Sequence, residues 1–283
     1  MEGLTRAILD WGDGALRPWP WRATRDRWGV LVSEVMLQQT QASRVAQKWV
    51  DFVATYPTPA ACAAAPLGAL LRRWEGLGYP RRCRYLHAAA REIVARHGGR
   101  VPGSLLALLA LPGVGPYTAR AVLAFADAAP VGIVDVNVAR VLARLDGRPA
   151  GARALQARAD ALVPPDRAWE WNQALMELGA RLCTARAPGC GQCPAARTCA
   201  WRGRGPDPAR ASAHRSRPQP RYEGSDRQAR GRLLRALGRG PLAPPHLAGA
   251  AGLGRAHARA RRLADALVAE GLARRSRGRY RLP

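Results

Sequence analysis

The 283-residue sequence predicts a mainly α-helical protein with a small winged-helix-like module at its C-terminal end, and three observations carry that expectation. The hydrophobic residues, 48% of the chain, are mostly Ala, Leu and Val with only two Phe, a mixture that packs helices better than aromatic-rich sheets. Apolar residues recur at helical spacing over 29–54, 66–74, 83–97, 104–110, 116–127, 136–145, 152–163 and 168–182, and Pro and Gly punctuate most of the gaps. From Gly203 to Gly224 the chain turns to Arg, Pro, Ser and Gly with almost no aliphatic side chain, the composition of a flexible basic linker.

Beyond that linker, Gln228–Leu237 and Arg259–Glu270 have helical periodicity, and Leu272–Leu282 reads as two short strands about Ser276–Gly278. Helix, helix, helix and hairpin make 225–283 a winged-helix-like module, separate from the helical body. The formal charge of +25 points to a polyanionic partner, because basic surfaces release counterions from a phosphate backbone without reading its sequence. Residues 203–283 hold 19 Arg against 5 acids, so the tail is the more basic part, and Arg255, Arg259 and Arg262 are spaced to share one helix face. The tail is therefore expected to supply mainly sequence-independent duplex affinity rather than selective recognition. No apolar run approaches the roughly 18 residues that span a bilayer, and no secretory signal pattern opens the chain. A cytoplasmic, nucleoid-associated protein without a membrane partner is expected.

Four of the six Cys fall in one window, Cys183, Cys190, Cys193 and Cys199, separated by 6, 2 and 5 residues. This compact four-thiolate set suits a single iron–sulfur cluster better than zinc, since zinc ribbons usually present two close pairs and here there is one. Cys62 and Cys83 stand alone on apolar faces and read as core. Between the first two ligands, Thr184–Gly189 must loop outward, and Arg186 there either meets a phosphate or is simply solvated.

Leu111–Ala119 (LPGVGPYTA) lies between two helices, with Gly113 and Gly115 where the chain turns tightly and Pro116 at a helix start. Its backbone N–H groups at a helix N-terminus can hold a phosphate, although a generic helix connection has the same look. Glu34 sits in the apolar run Val30–Leu37, where an inward carboxylate loses solvation and has its pKa raised, which suits a general acid. Asp135 follows the apolar run Val131–Val134 and opens a helix, a position equally natural for an N-cap.

Together with Ser33–Gln41 (SEVMLQQTQ), Gly76–Tyr79 (GLGY), Val134–Arg140 (VDVNVAR) and Asn172–Gly179 (NQALMELG), these segments resemble the helix-hairpin-helix DNA glycosylase superfamily and, within it, the adenine DNA glycosylase family. The resemblance implies a six-helix barrel domain over 23–129 and an iron–sulfur cluster domain over 1–22 with 130–202, followed by the linker 203–224 and the module 225–283. It also implies a [4Fe-4S] cluster on the four Cys and a monomer acting on double-stranded DNA with 8-oxoguanine:adenine mispairs. Glu34 would protonate the departing adenine, and Asp135 would stabilise the oxocarbenium-like sugar, with Tyr117 and Asn137 beside the chemistry. Trp21, Arg22 and Glu177 would line the pocket for the flipped base. Tyr79 and Gln39 would wedge into the duplex, and Leu37, Gln38 and Thr40 would lie near the oxidised guanine.

The chain departs from the family pattern at Val136, where Gly is common, at Pro80, where a second Tyr is common, and in a C-terminal part too short for the usual larger β-rich domain. A bifunctional glycosylase and lyase of the endonuclease III kind would need a hairpin Lys. Tyr117 occupies that place, and Lys48 is the only Lys in the chain. A mismatch thymine glycosylase and an iron–sulfur DNA-binding regulator are the other readings, the first opposed by the Gln38–Gln39–Thr40 set and the second leaving Glu34 without a purpose.

Overall fold

The computed structural model describes residues 2–215 and 219–283, and their regular structure is helical apart from one C-terminal hairpin. In chain order the helices are α1 (Glu2–Ala15), α2 (Arg27–Leu37), α3 (Ala42–Thr55), α4 (Pro59–Ala64), α5 (Leu67–Arg73), α6 (Arg81–Arg96), α7 (Leu105–Leu109), α8 (Pro116–Ala126), α9 (Val136–Asp146), α10 (Ala152–Leu162) and α11 (Ala168–Arg181). The tail adds α12 (Asp226–Arg239), α13 (Leu247–Ala251), α14 (His257–Ala269), β1 (Arg274–Ser276) and β2 (Arg279–Arg281). The helices expected between residues 66 and 182 are found as α5 to α11. The single helix expected over 29–54 is instead two, α2 and α3, broken at Gln38–Gln41, and α1 and α4 carry no signal strong enough to have been expected.

The chain divides into two compact units, the first made of residues 2–30, 103–109 and 114–215. Within it α1 and α9 pack on α11, and Leu4, Ile8, Val138, Leu142, Trp171, Leu175 and Leu178 form the core. Gly12 permits the close approach of α1 to α11, since a Cβ there would stand 2.6 Å from the Ala174 methyl group. The buried Asn172 accepts from the Ile133 N–H (3.1 Å) and donates to the Val131 carbonyl (3.0 Å), fixing the extended strand-like lead into Asp135.

Part of the expected flexible linker is held in this unit. Asp207, the one acid in 203–215, pairs with Arg144 (2.7 Å), and a short 3-10 helix follows at Pro208–Ala211. The Ala150 N–H donates to the buried Ser212 hydroxyl (3.1 Å), and the Ala213 N–H donates to the Ala150 carbonyl (3.0 Å). A basic composition alone did not reveal that one carboxylate meeting a buried guanidinium would anchor the stretch. Residues 216–218 of that linker lie outside the described residues.

The second unit contains residues 31–102, 110–113 and 219–283. Here α4 and α5 pack on α6, and Phe52 meets Tyr56 and Trp74 edge-on. Cys62 and Cys83 are buried as expected, and burial pushes the Cys62 thiol up to about 12. The tail forms α12, α13, α14 and an antiparallel β1–β2 pair, with Leu242 making a single bridge to Tyr280 on β2, which is the winged-helix order.

The module expected to stand apart belongs to this same unit. Helix α12 packs on α5, Arg235 pairs with Glu75 (2.6 Å), and Glu270 accepts from both Arg81 (2.8 Å) and Arg230 (2.6 Å). Gly68 lets the chain end close in, because a Cβ there would lie 2.7 Å from the Pro283 carbonyl oxygen. Of the three arginines expected on one face, Arg255 and Arg262 are exposed, whereas Arg259 is committed to Asp226 (2.7 Å) and to the Gly224 carbonyl (3.0 Å). No helix among the described residues is long and apolar enough to cross a membrane.

Candidate active site

In the first unit, Asp135 takes the N-cap position that its place after an apolar run allowed. As N-cap of α9, its Oδ1 accepts from the N–H groups of Asn137 (2.9 Å) and Val138 (2.7 Å), while Oδ2 accepts from the Asn137 side-chain amide (2.9 Å). Burial raises the pKa of this carboxyl and those three donors oppose the rise. The Asn137 amide is itself held: its oxygen accepts from Arg140 (2.8 Å), which also donates to the Gly179 carbonyl (2.7 Å) and to the Cys183 carbonyl (2.7 Å). Gly179 makes room for this, since a Cβ there would stand 2.7 Å from that of Asn137. Arg140 thus connects the Asp135 cap to the first cysteine.

Trp21 and Arg22 lie on a 3-10 helix, Pro20–Ala23, with Trp21 buried and stacked on Trp19 at 5.5 Å. Arg22 donates to the Gln173 side chain (2.8 Å) and to Glu177 (2.9 Å), and Arg17 also pairs with Glu177. The buried Glu177 on α11 therefore has two guanidinium partners, and three residues expected near the flipped base are placed on neighbouring turns. Burial lowers the Arg22 pKa.

Gly115 is the N-cap of α8 and has no side chain to cap its first turn, so the N–H groups there can meet an anion; Pro116 and the half-buried Tyr117 follow. Gly113, in the second unit, has φ +76°, and a Cβ would lie 2.6 Å from that of Tyr85. A side chain at this turn would be excluded on both counts.

Cys183, Cys190, Cys193 and Cys199 line one cavity with Arg144, Leu182, Trp201 and Arg202. Burial raises the pKa of Cys183 and Cys193, and Arg144 opposes the rise at Cys183. Arg144, only 1% exposed, donates to the Cys183 sulfur (3.3 Å) and lies over the Trp201 ring, and the Arg202 N–H donates to the Cys199 sulfur (3.4 Å). Gly203 leaves room beside Cys190, where a Cβ would come within 3.3 Å of the sulfur. The loop between the first two cysteines is closed by the Thr184 hydroxyl on the Ala187 carbonyl (2.7 Å) and leaves Arg186 exposed. Among the described residues no group of three or more His, Cys, Asp or Glu side chains is arranged to hold a single metal ion.

In the second unit, Glu34 is 3% exposed on α2, inside the apolar run that predicted its burial. The turn after α2 carries Gln38, Gln39 and Thr40, with Gln39 exposed at φ +57°, and the GLGY turn carries Tyr79 at φ +45°. One residue unites the two turns. Arg82, buried on α6, donates to the carbonyls of Val35 (2.8 Å), Met36 (2.7 Å), Leu77 (2.9 Å) and Gly78 (3.1 Å) and to the Thr40 hydroxyl (2.9 Å). Its guanidinium also lies over the Trp74 and Tyr79 rings, and burial lowers its pKa to about 10. Sequence reading missed Arg82 because one Arg among 44 has no pattern; only its place beside the GLGY turn hinted at a role.

Residues 32–165 match the HhH-GPD superfamily of base excision DNA repair proteins, so fold and site define a DNA glycosylase of the helix-hairpin-helix class. The chain is 48% identical over 236 residues to the adenine DNA glycosylase of Mycolicibacterium smegmatis, covering 81% of this chain and 78% of that relative. It is 37% identical over 207 residues to the thymine-DNA glycosylase of Aeropyrum pernix, covering 69% and 92%. A solved structure of a thermostable thymine-DNA glycosylase superposes with a TM-score of 0.66 at 31% identity, over 70% of this chain and 94% of that one. The chain belongs to the adenine DNA glycosylase family.

Proposed function

We propose that this base-excision glycosylase flips adenine out of duplex DNA and hydrolyses its N-glycosidic bond where adenine is mispaired with 8-oxoguanine or guanine. The observation that carries the reading is Asp135, a carboxylate fixed by three donors at the mouth of α9 and poised to face developing positive charge. In this scheme the Glu34 carboxyl gives its proton to the departing adenine, and the ionised Asp135 stabilises the cationic sugar until water adds at the anomeric carbon. The products are free adenine and an intact abasic site. Adenine is favoured over thymine by the higher identity to the adenine-specific relative, held over most of its length.

The protein acts as a monomer on the duplex, with Gly113, Gly115 and Arg186 meeting phosphates and the tryptophan and arginine of the Pro20–Ala23 turn lining the base pocket with Glu177. The four Cys would hold a [4Fe-4S] cluster, which fits the cavity they share and the Arg144 and Arg202 donors aimed at their sulfurs. When bound, the cluster would fasten the 183–199 segment whose carbonyl holds Arg140. Lys48, the only Lys, leans on the Arg73 carbonyl at 3.5 Å in the second unit, so the chain has little with which to form a Schiff base.

The test is base release from 8-oxoguanine:adenine, guanine:adenine and guanine:thymine duplexes, read as strand scission after mild alkali, with borohydride present in a parallel reaction. Adenine release without a trapped covalent adduct is expected. Release of thymine in preference to adenine, or strong trapping, would overturn the reading.

A further inference from the structure

We propose that Gln219 and Arg227, from the C-terminal part of the chain, set the discrimination between 8-oxoguanine and guanine by holding Tyr79 and Gln39 in one rigid arrangement. This rests on the function proposed above and assigns a task to the tail that its charge did not suggest.

Tyr79 and Gln39 both occupy the left-handed backbone region, at φ +45° and +57°, a conformation that side chains with a Cβ adopt only when the surroundings hold them there. Arg82 and Thr40 support the two turns from below, through the backbone of Val35–Met36 and Leu77–Gly78. The polar tips are joined from the tail. The Tyr79 hydroxyl donates to the Gln219 side-chain oxygen, Oε1, at 3.1 Å, and the Gln219 side-chain nitrogen, Nε2, donates to the Gln39 side-chain oxygen at 3.4 Å. Arg227 donates to the same Gln219 oxygen (2.6 Å) and to the Tyr79 hydroxyl (3.4 Å), and its guanidinium lies 5.3 Å from the centre of the Tyr222 ring, which is 52% exposed.

Arg227 belongs to the first turn of α12, and that helix is anchored on the body of its unit by the Arg235–Glu75 pair and by Glu270 between Arg230 and Arg81. The bridge is therefore tied down at its far end. The two opposite bases differ by one oxygen and one N–H, a difference that a loose amide and a swinging ring could accommodate in both forms. Donors and acceptors held in place cannot adapt, so the unmatched base leaves polar groups unpaired. A bridge made by one amide and one guanidinium supplies that rigidity.

The experiment compares Gln219→Ala, Arg227→Ala, the double variant and Arg227→Lys with wild type. Single-turnover adenine release, with enzyme in excess, is measured opposite 8-oxoguanine and opposite guanine. Each alanine variant is expected to lower the ratio of the two rates about tenfold, the loss of a charge-assisted hydrogen bond, mainly by slowing the 8-oxoguanine duplex. Arg227→Lys keeps a donor and a charge and should recover part of that ratio. The same tail substitutions placed in a Glu34→Gln background give the ratio of Kd values for the two duplexes, a readout that needs no turnover and that a merely structural role would not move. If the rate and Kd ratios stay at the wild-type value, whether or not both rates fall together, the proposal is wrong. If wild type releases no adenine but the Kd ratio still collapses without Arg227, the function proposed above fails while the discriminating role of the tail stands.

Discussion

Replacing Arg82 by Met should loosen the second unit and blunt base release together. The guanidinium serves five acceptors, and two of them, the Val35 and Met36 carbonyls, belong to the last turn of α2, where a helix has no internal donor left. The Leu77 carbonyl keeps the Thr40 hydroxyl as a donor (2.9 Å), and Thr40 and Gly78 are exposed enough for water to replace theirs. Two orphaned buried carbonyls at about 1–1.5 kcal/mol each come to about 2–3 kcal/mol. Methionine refills the apolar volume and removes the cost of burying a charge, the same cost that lowers the Arg82 pKa to about 10, so a net loss of about 1–2 kcal/mol is expected.

Urea unfolding followed by circular dichroism measures the loss, and single-turnover adenine release measures its consequence, which should fall at least tenfold as the Gln39 and Tyr79 turns lose their common support. Arg82→Lys should recover little, because an ammonium on a flexible stem cannot reach carbonyls on two turns at once. A midpoint that moves by less than the equivalent of about 0.5 kcal/mol, with wild-type release, would refute the claim that Arg82 organises both turns.

Glu34→Gln is expected to abolish adenine release while duplex affinity stays within a few-fold of wild type, measured by burst kinetics and by anisotropy; retained release would remove Glu34 as the general acid. Asp135 must be ionised to act, and because burial raises its pKa, release should fall with decreasing pH through a value above the usual carboxylate range. A single-turnover pH profile whose acid limb lies within the ordinary range would contradict that, as would appreciable release by Asp135→Asn. Purified protein should be brown, and Cys193→Ser should bleach it and reduce the soluble yield, as followed by visible absorption and iron analysis; stoichiometric zinc without iron would overturn the cluster assignment.

What the sequence revealed and what it withheld follow the range of the interactions involved. Glu34 was legible because six apolar neighbours in Val30–Leu37 bury whatever stands among them, and Asp135 because a polar residue after an apolar run opens a helix. The cysteine window was legible from spacing alone. By contrast, the break between α2 and α3 has no Gly or Pro to announce it. It is imposed by Arg82, more than forty residues away, taking the last carbonyls of α2. The anchoring of 203–215 depends likewise on Asp207 finding Arg144, 63 residues back in the chain, and the docking of the tail on Glu75, Glu270 and Gly68. Periodicity reads neighbours along the chain, so long-range ion pairs of single residues lie outside its reach.

Two of the three departures from the family pattern, Val136 and Pro80, have a physical account. Val136 is the first residue of α9, with a helical backbone and a side chain 41% exposed, so the position makes no demand for glycine, and Asp135 keeps its extended cap conformation at φ −95°. Pro80 is more consequential. It sits at φ −63° as the N-cap of α6, where the proline ring is at rest and no N–H is needed inside the helix. A proline also disfavours the right-handed helical conformation of the residue before it, which is the conformation that would draw Tyr79 into an extra turn of α6. The ring that would enter the duplex is thus restrained three ways, by Pro80 through the backbone, by the Arg82 guanidinium at 5.5 Å, and by Gln219 at the hydroxyl. Where the family pattern has a second aromatic ring, this chain has a backbone restraint, and the tail adds one amide and one guanidinium at the tips of Tyr79 and Gln39.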